Sequence, residues 1–308
     1  MKKYYPEGKL INSEANCKLI FNRERLNSAM ESGDVLEGIA KSCDEQHNII
    51  VDLGSIKGII PRNEGAIGIK EQKVRDIALI SRVGKPVCFT VCGFNYDSDG
   101  NEIAMLSRLN AQNKCRAEYI SRLKKGDIID AKITHLENFG AFCDIGCGVI
   151  ALLPIDSISV SRISHPSDRF SVGQSIKAIV KSIDENGRIS LSFKELLGTW
   201  EENAENFSQG QTVSGVVRSV EDYGIFVELA PNLAGLAELK DGVSVGQTAS
   251  VYIKSLIKEK MKVKLIIIDS FDEFGFNPPI KYFYEGDRID FWQYSPEGNY
   301  KNIYTDFR

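Results

Sequence analysis

No stretch of the 308 residues approaches the ~18 consecutive apolar side chains that a membrane-spanning helix requires. The start, MKKYYPEGKL, lacks the apolar core of a secretory signal. Neither export nor membrane insertion is expected. Cysteine is sparse and odd in number, seven in all, which does not make a disulfide framework. A reducing cytoplasm fits best. Histidine is scarcer still: His47, His135 and His165 share no spacing that would gather them on a metal. Cys88/Cys92 and Cys143/Cys147 each have a C-x3-C spacing, but fall in different parts of the chain and read as small buried hydrophobes. No phosphate-binding G-x-x-x-x-G-K-[ST] loop, H-E-x-x-H or G-x-S-x-G occurs. No catalytic residue, metal or small-molecule cofactor is therefore assigned, and the chain is not read as an enzyme.

Excess charge is also missing. The net charge is -4, from 38 basic and 42 acidic residues. This excludes a polybasic coat but not a local basic face. The acidic surplus sits in 198–209 and in 271–308, and the segments 123–197 and 210–270 are neutral on balance.

What the chain does have is a repeat. SGDVLEGIAKSC at Gly33, KGDIIDAKITHL at Gly126 and QGQTVSGVVRSV at Gly210 each put a turn glycine before alternating apolar and polar residues. That alternation reads as a half-buried strand. A second glycine opening follows in each: VGKPVCFTV, VGQSIKAIV and VGQTASVYI. Asp99-Gly100 and Asn186-Gly187 are strong hairpin signals. Each unit offers about five short strands in ~60–75 residues, and closing so small a sheet removes its exposed edges. The expected fold is mainly β: three tandem five-stranded OB-fold barrels joined by short helical linkers, with an aromatic-rich C-terminal extension.

The expected boundaries are an N-terminal extension with a short helix (1–32), a degenerate repeat 1 (33–109), a helical linker (110–123), repeat 2 (124–195), a helical linker (196–209), repeat 3 (210–270) and the extension (271–308). Asn22 is a candidate cap for a helix over RERLNSAME. Residues 271–308 hold 12 of the 28 aromatics, too many for a disordered tail. IKYFYEGDRIDFWQY reads as two strands around Glu285-Gly286, entered at Asn277-Pro278-Pro279 and packed on barrel 3. The other reading is a partner-docking surface centred on Trp292.

Repeats 2 and 3 share aromatic-Gly-x-Phe: Phe139-Gly140-Ala141-Phe142 and Tyr223-Gly224-Ile225-Phe226. Aromatic faces stack on unpaired bases, and nearby cations track phosphates. Residues three apart face opposite sides of a flat strand, so a bulge or bend at the glycine is needed to bring both rings to one surface. An isolated Phe in such a strand is ordinarily core. Its recurrence beside glycine favours a surface role. Lys132, Lys181 and Arg188 are candidate cations in repeat 2. In repeat 3 they are Lys254 and Lys262, within a run of lysines from 254 to 264.

These residues resemble the S1 RNA-binding domain family. KKGDIIDAKITHLENFGAFCDIG, HPSDRFSVGQSIKAIVKSID and ENGRISLSFKELLGTWEE carry the resemblance most closely, and it extends more loosely over 33–270. It implies an OB barrel whose face binds single-stranded RNA. That face uses two aromatics, a residue on the next strand and an Asp/Arg pair near the last hairpin. In repeat 2 these fall on Phe139 and Phe142, on Pro154 where the family often has His, and on Asp184 with Arg188. In repeat 3 they fall on Tyr223, Phe226 and Glu238, with Lys262 in the Arg position and no Asp. The family also places the loop bearing His165 near the RNA; contact and loop structure are equally open for that residue. Asp184 either shapes its turn or contacts RNA. In repeat 1 the ring positions fall on His47 and Ile50, so no contact is assigned there. The implied function is binding of messenger RNA near the small ribosomal subunit in translation. A protein–protein adaptor and an RNA-binding regulator free of the ribosome are the alternatives.

Overall fold

The computed structural model describes residues 4–54, 56–272 and 280–308. Two compact units emerge from its packing. The first comprises the chain up to Leu123 with Asp130–Lys132 and Asp144–Ile150; the second holds Lys124–Ile129, Ile133–Cys143 and Ala151–Arg308.

In the first unit, helix α1 (Glu14–Ile20) leads to α2 (Arg23–Ser32). Asn22 Oδ1 accepts from the Arg25 N–H, satisfying one otherwise orphaned donor of the first turn. Gly33, at φ 64°, closes the helix by donating to the Ala29 and Met30 carbonyls. Five strands follow: β1 (Leu36–Cys43), β2 (Ile49–Asp52), β3 (Lys57–Ile60), β4 (Pro86–Tyr96) and β5 (Glu102–Ser107). They close into a barrel in the order β1-β2-β3-β5-β4, with β3 and β5 parallel and β1 returning to β4. The inward residues Leu36, Val51, Ile60, Phe89 and Leu106 are buried together with Leu26 and Ala29 of α2. Each such aliphatic side chain contributes roughly 1.5–3 kcal/mol by leaving water. A short helix α3 (Ile77–Ile80) adds Leu79 to this core.

Cys92 departs from the buried reading. Val91 pairs with Leu106 and Gly93 with Met105, so Cys92 is the extra residue of a β-bulge and is exposed. Cys88, Cys143 and Cys147 are buried as expected.

Helix α4 (Arg108–Glu118) begins at the Ser107 cap and is not merely polar: Ala111, Gln112 and Cys115 are buried. Barrel 2 comprises β6 (Ile128–Glu137), β7 (Gly140–Asp144), β8 (Ile150–Pro154), β9 (Ser175–Ile183) and β10 (Ile189–Ser192). Its closure again puts β8 parallel to β10. Helix α5 (Trp200–Ala204) starts with a Thr199/Glu202 capping box and buries Trp200. Barrel 3 comprises β11 (Thr212–Glu221), β12 (Gly224–Ala230), β13 (Leu233–Ala237), β14 (Thr248–Ile257) and β15 (Lys262–Phe271), with β13 parallel to β15. The same closure occurs three times, so the mainly β reading with three five-stranded barrels is what forms.

The extension differs from expectation. Its hairpin pairs β16 (Phe291–Gln293) with β17 (Tyr304–Asp306), not strands around Glu285-Gly286. The backbone there has another partner: Ile128 donates to the Asp287 carbonyl and Ile289 to that of Gly126, and Tyr284 Oη closes the turn on the Arg288 carbonyl. The extension packs on barrel 2 as well as barrel 3, where Tyr294 Oη donates to the Asn232 carbonyl. Trp292 is buried, which removes it as an exposed docking residue. Asn277-Pro278-Pro279 lies outside the described residues.

Candidate nucleic-acid interface

In barrel 2, Phe139 is 55% exposed and Phe142 half-buried. Their ring centroids lie 5.9 Å apart, edge to face. Barrel 3 repeats the arrangement: Tyr223, 70% exposed, meets Phe226 at 6.1 Å, again edge to face. The rings share a surface for a different reason than a bulge at the glycine. Phe139 and Tyr223 sit in the turns before β7 and β12, where strand alternation does not bind them. The glycines answer a steric need. A Cβ on Gly140 would lie 2.5 Å from the Leu153 carbonyl oxygen, and one on Gly224 equally close to that of Ala237. Only glycine lets the neighbouring strand approach so closely.

His135 joins this surface, stacking on Phe142 at 6.3 Å with its Nε2 2.7 Å from Glu137 Oε1. In the sequence it is one of three scattered histidines with no spacing of its own. Its place opposite Phe142 follows from the pairing of β6 with β7, which spacing alone does not reveal.

The other candidates are placed as follows. Lys181 Nζ donates to Ser157 Oγ at 2.7 Å. Lys132 belongs to the first unit and gives its Nζ to the Glu7 carbonyl at 2.9 Å. Asp184 Oδ1 accepts from the backbone N–H groups of Asn186 and Arg188, and no side-chain ion pair joins it to Arg188 among the described residues. The same turn recurs in barrel 1, where Asp97 Oδ1 accepts from Asp99 and Asn101. His165 caps the 3-10 turn Pro166–Asp168, its Nδ1 accepting from the Ser167 backbone. In barrel 3, Lys254 stands 3.8 Å from Glu238. Lys262 is exposed and, among the described residues, carries no ion pair; it lines a cleft beside Tyr223 and Phe226.

A buried ionic cluster joins barrels 2 and 3 within the second unit. Glu228, fully buried on β12, pairs with Arg169 from the loop before β9 and with Arg218 of β11. Arg218 also meets Asp168 at 3.4 Å, and Arg169 Nη2 donates to the Pro231 carbonyl. Such pairing offsets the cost of burying these charges, although Arg169 Nε itself is left without a hydrogen-bond partner among the described residues.

The first unit has an acidic cluster of its own. Glu7 makes a bidentate pair with Arg108, meets Arg82 at 3.3 Å and accepts from the Cys88 N–H, and the two guanidinium groups hold its charge on against burial. Burial pushes Glu37 up to about 7 although it accepts from Gly8 and Leu10. It pushes Asp144 up to about 7 as well, with the neighbouring Glu7 charge adding to the effect. Cys88, Cys115 and Cys147 meet nearby. Among the described residues no group of His, Cys, Asp and Glu is arranged to hold a metal.

Residues 122–194 match the family model described as S1 RNA binding domain. The chain is 31% identical over 254 residues to the small ribosomal subunit protein bS1 homolog of Bacillus subtilis, covering 80% of this chain and 62% of that protein. It is 28% identical over 273 residues to the small ribosomal subunit protein bS1 of Staphylococcus epidermidis, covering 86% and 66%. The chain thus spans a little under two thirds of the length of these relatives. A multidomain protein with nucleic acid binding domains from Streptococcus pneumoniae overlaps 77% of this chain and 74% of its own, at 13% identity and a TM-score of 0.26, too low to carry an argument. Residues 122–194 thus carry an S1 RNA binding domain, and the chain is similar to bS1 proteins along most of its length.

Proposed function

We propose that this chain binds single-stranded RNA on the ring faces of barrels 2 and 3 and acts in translation, holding messenger RNA at the small ribosomal subunit. The modules are 124–195 and 210–270, with 33–109 as a scaffold; the protein is cytoplasmic and non-enzymatic. The observation that carries the reading is the recurrence of one exposed edge-to-face ring pair at the same place in two barrels. A ring kept in water at that position has no packing reason to be there, whereas a base stacking on it gains ~1–3 kcal/mol. Linking two such modules raises avidity through effective concentration. Phe139, Phe142, Tyr223, Phe226, Arg188 and Lys262 are the contacts, with His135 beside them. Lys132, Lys181 and Lys254 already have partners, and His165 and Asp184 build their loops.

The test is fluorescence anisotropy of a labelled single-stranded oligoribonucleotide against the full chain at several salt concentrations. Affinity falls with salt, and Phe139→Ala with Tyr223→Ala weakens it at least about tenfold. Both rings are exposed, so folding is unaffected. Unchanged affinity in that double variant refutes the interface. Co-sedimentation with ribosomal subunits tests the place in translation.

A further inference from the structure

Beside the rings of barrel 3 lies a cleft of about 360 Å³, within the range of small-ligand sites. Tyr223, Phe226 and Lys262 form one side. The rest comes from elsewhere in the second unit: Arg162 from the loop after β8, Lys260 from the turn between β14 and β15, and Tyr300 with Lys301 from the extension. We infer that the end of the chain converts the open ring face of barrel 3 into a walled cleft for one unpaired nucleotide, with Tyr300 and Lys301 as direct contacts. This rests on the RNA reading above and adds residues that the two-ring face does not contain.

Three observations support it. First, the wall is fastened in place. Asn299 Nδ2 donates to the Glu259 carbonyl in the turn that carries Lys260, and its Oδ1 accepts from the Lys301 N–H. Ser295 Oγ closes the same loop by donating to the Lys301 carbonyl and accepting from Ile303. Second, the charge suits a phosphate. Arg162, Lys260, Lys262 and Lys301 make no ion pair among the described residues, while Glu221 is the one carboxylate lining the cleft. Third, Tyr300 is 77% exposed, so its ring is a second aromatic surface bordering the cavity that Tyr223 borders. A base entering there meets two rings, and its phosphates meet the cations around them.

The experiment uses the full chain carrying Phe139→Ala, so that barrel 3 dominates binding. The probe is a short single-stranded oligoribonucleotide containing 2-aminopurine, followed by anisotropy and by quenching of the base. Tyr300→Ala should weaken binding about fivefold or more and reduce the quenching, whereas Tyr300→Phe retains both. Lys301→Ala should lower the slope of log affinity against log salt by about 0.7. If Tyr300→Ala and Lys301→Ala both match their parent while Tyr223→Ala weakens binding, the walled cleft is wrong and the RNA reading stands. If the wild-type chain does not bind the oligonucleotide, the RNA reading itself fails.

Discussion

Replacing Glu228 with Gln tests whether the buried ionic cluster holds barrels 2 and 3 in register. Its carboxylate has no exposed surface and faces Arg169, 1% exposed, and Arg218, 8% exposed. Truncating one partner of a buried pair costs ~3–5 kcal/mol because the remaining charges lose compensation. Here Gln keeps one acceptor oxygen, Asp168 still neutralises Arg218, and the Pro231 carbonyl still accepts from Arg169. The expected loss therefore sits near the lower end, about 3 kcal/mol, or roughly 6–12 °C in midpoint for a unit of this size. The assay is convenient: both tryptophans, Trp200 and Trp292, are buried in the second unit, so their fluorescence reports its unfolding alone. Glu238→Gln serves as the control, since its pairing with Lys254 is solvent-exposed and worth within ~0.5 kcal/mol. A Glu228→Gln midpoint within 2 °C of the parent would refute the claim that this cluster holds the unit together.

Two further outcomes follow from the steric and titration arguments. Gly140→Ala should destabilise the second unit by ~1–3 kcal/mol, read by the same fluorescence, because the added Cβ meets the Leu153 carbonyl; a neutral effect would mean the strands separate freely. The carboxyl of Glu37, raised by burial from 4.5 to about 7, makes the folded first unit bind a proton that the unfolded chain releases. Its contribution is full below pH ~4.5 and is lost as pH rises through 7, by at most ~3 kcal/mol. Calorimetry should show the transition that tryptophan fluorescence does not report moving down between pH 5 and pH 8. Glu37→Gln should shrink that shift, and an undiminished slope would place the titration on Asp144 alone.

The barrels were legible because their signals are local: a glycine turn and alternation in all three, with an Asp-Gly or Asn-Gly hairpin in the first two. The ring pairs were legible for the same reason, being four residues long. What escaped depends on distant partners. Lys132 looks like a free strand cation until the Glu7 carbonyl accepts its protons from 125 residues away. Cys92 looks buried by alternation until the bulge shifts it outward. The 280–290 stretch has strand composition, yet its partner is the start of β6 instead of its own neighbour. Tyr300 and Arg162 reach one cleft from positions 138 residues apart, a proximity that no motif announces.

The carboxylate at Asp184 has a counterpart at Asp97, in a barrel that lacks the rings, and both do the same work of gathering turn amides. Architecture and recognition can thus drift independently through a duplicated lineage. A survey keyed on that acid would count barrel 1 and miss barrel 3, whereas one keyed on the solvent-facing aromatic would pick out barrels 2 and 3 alone.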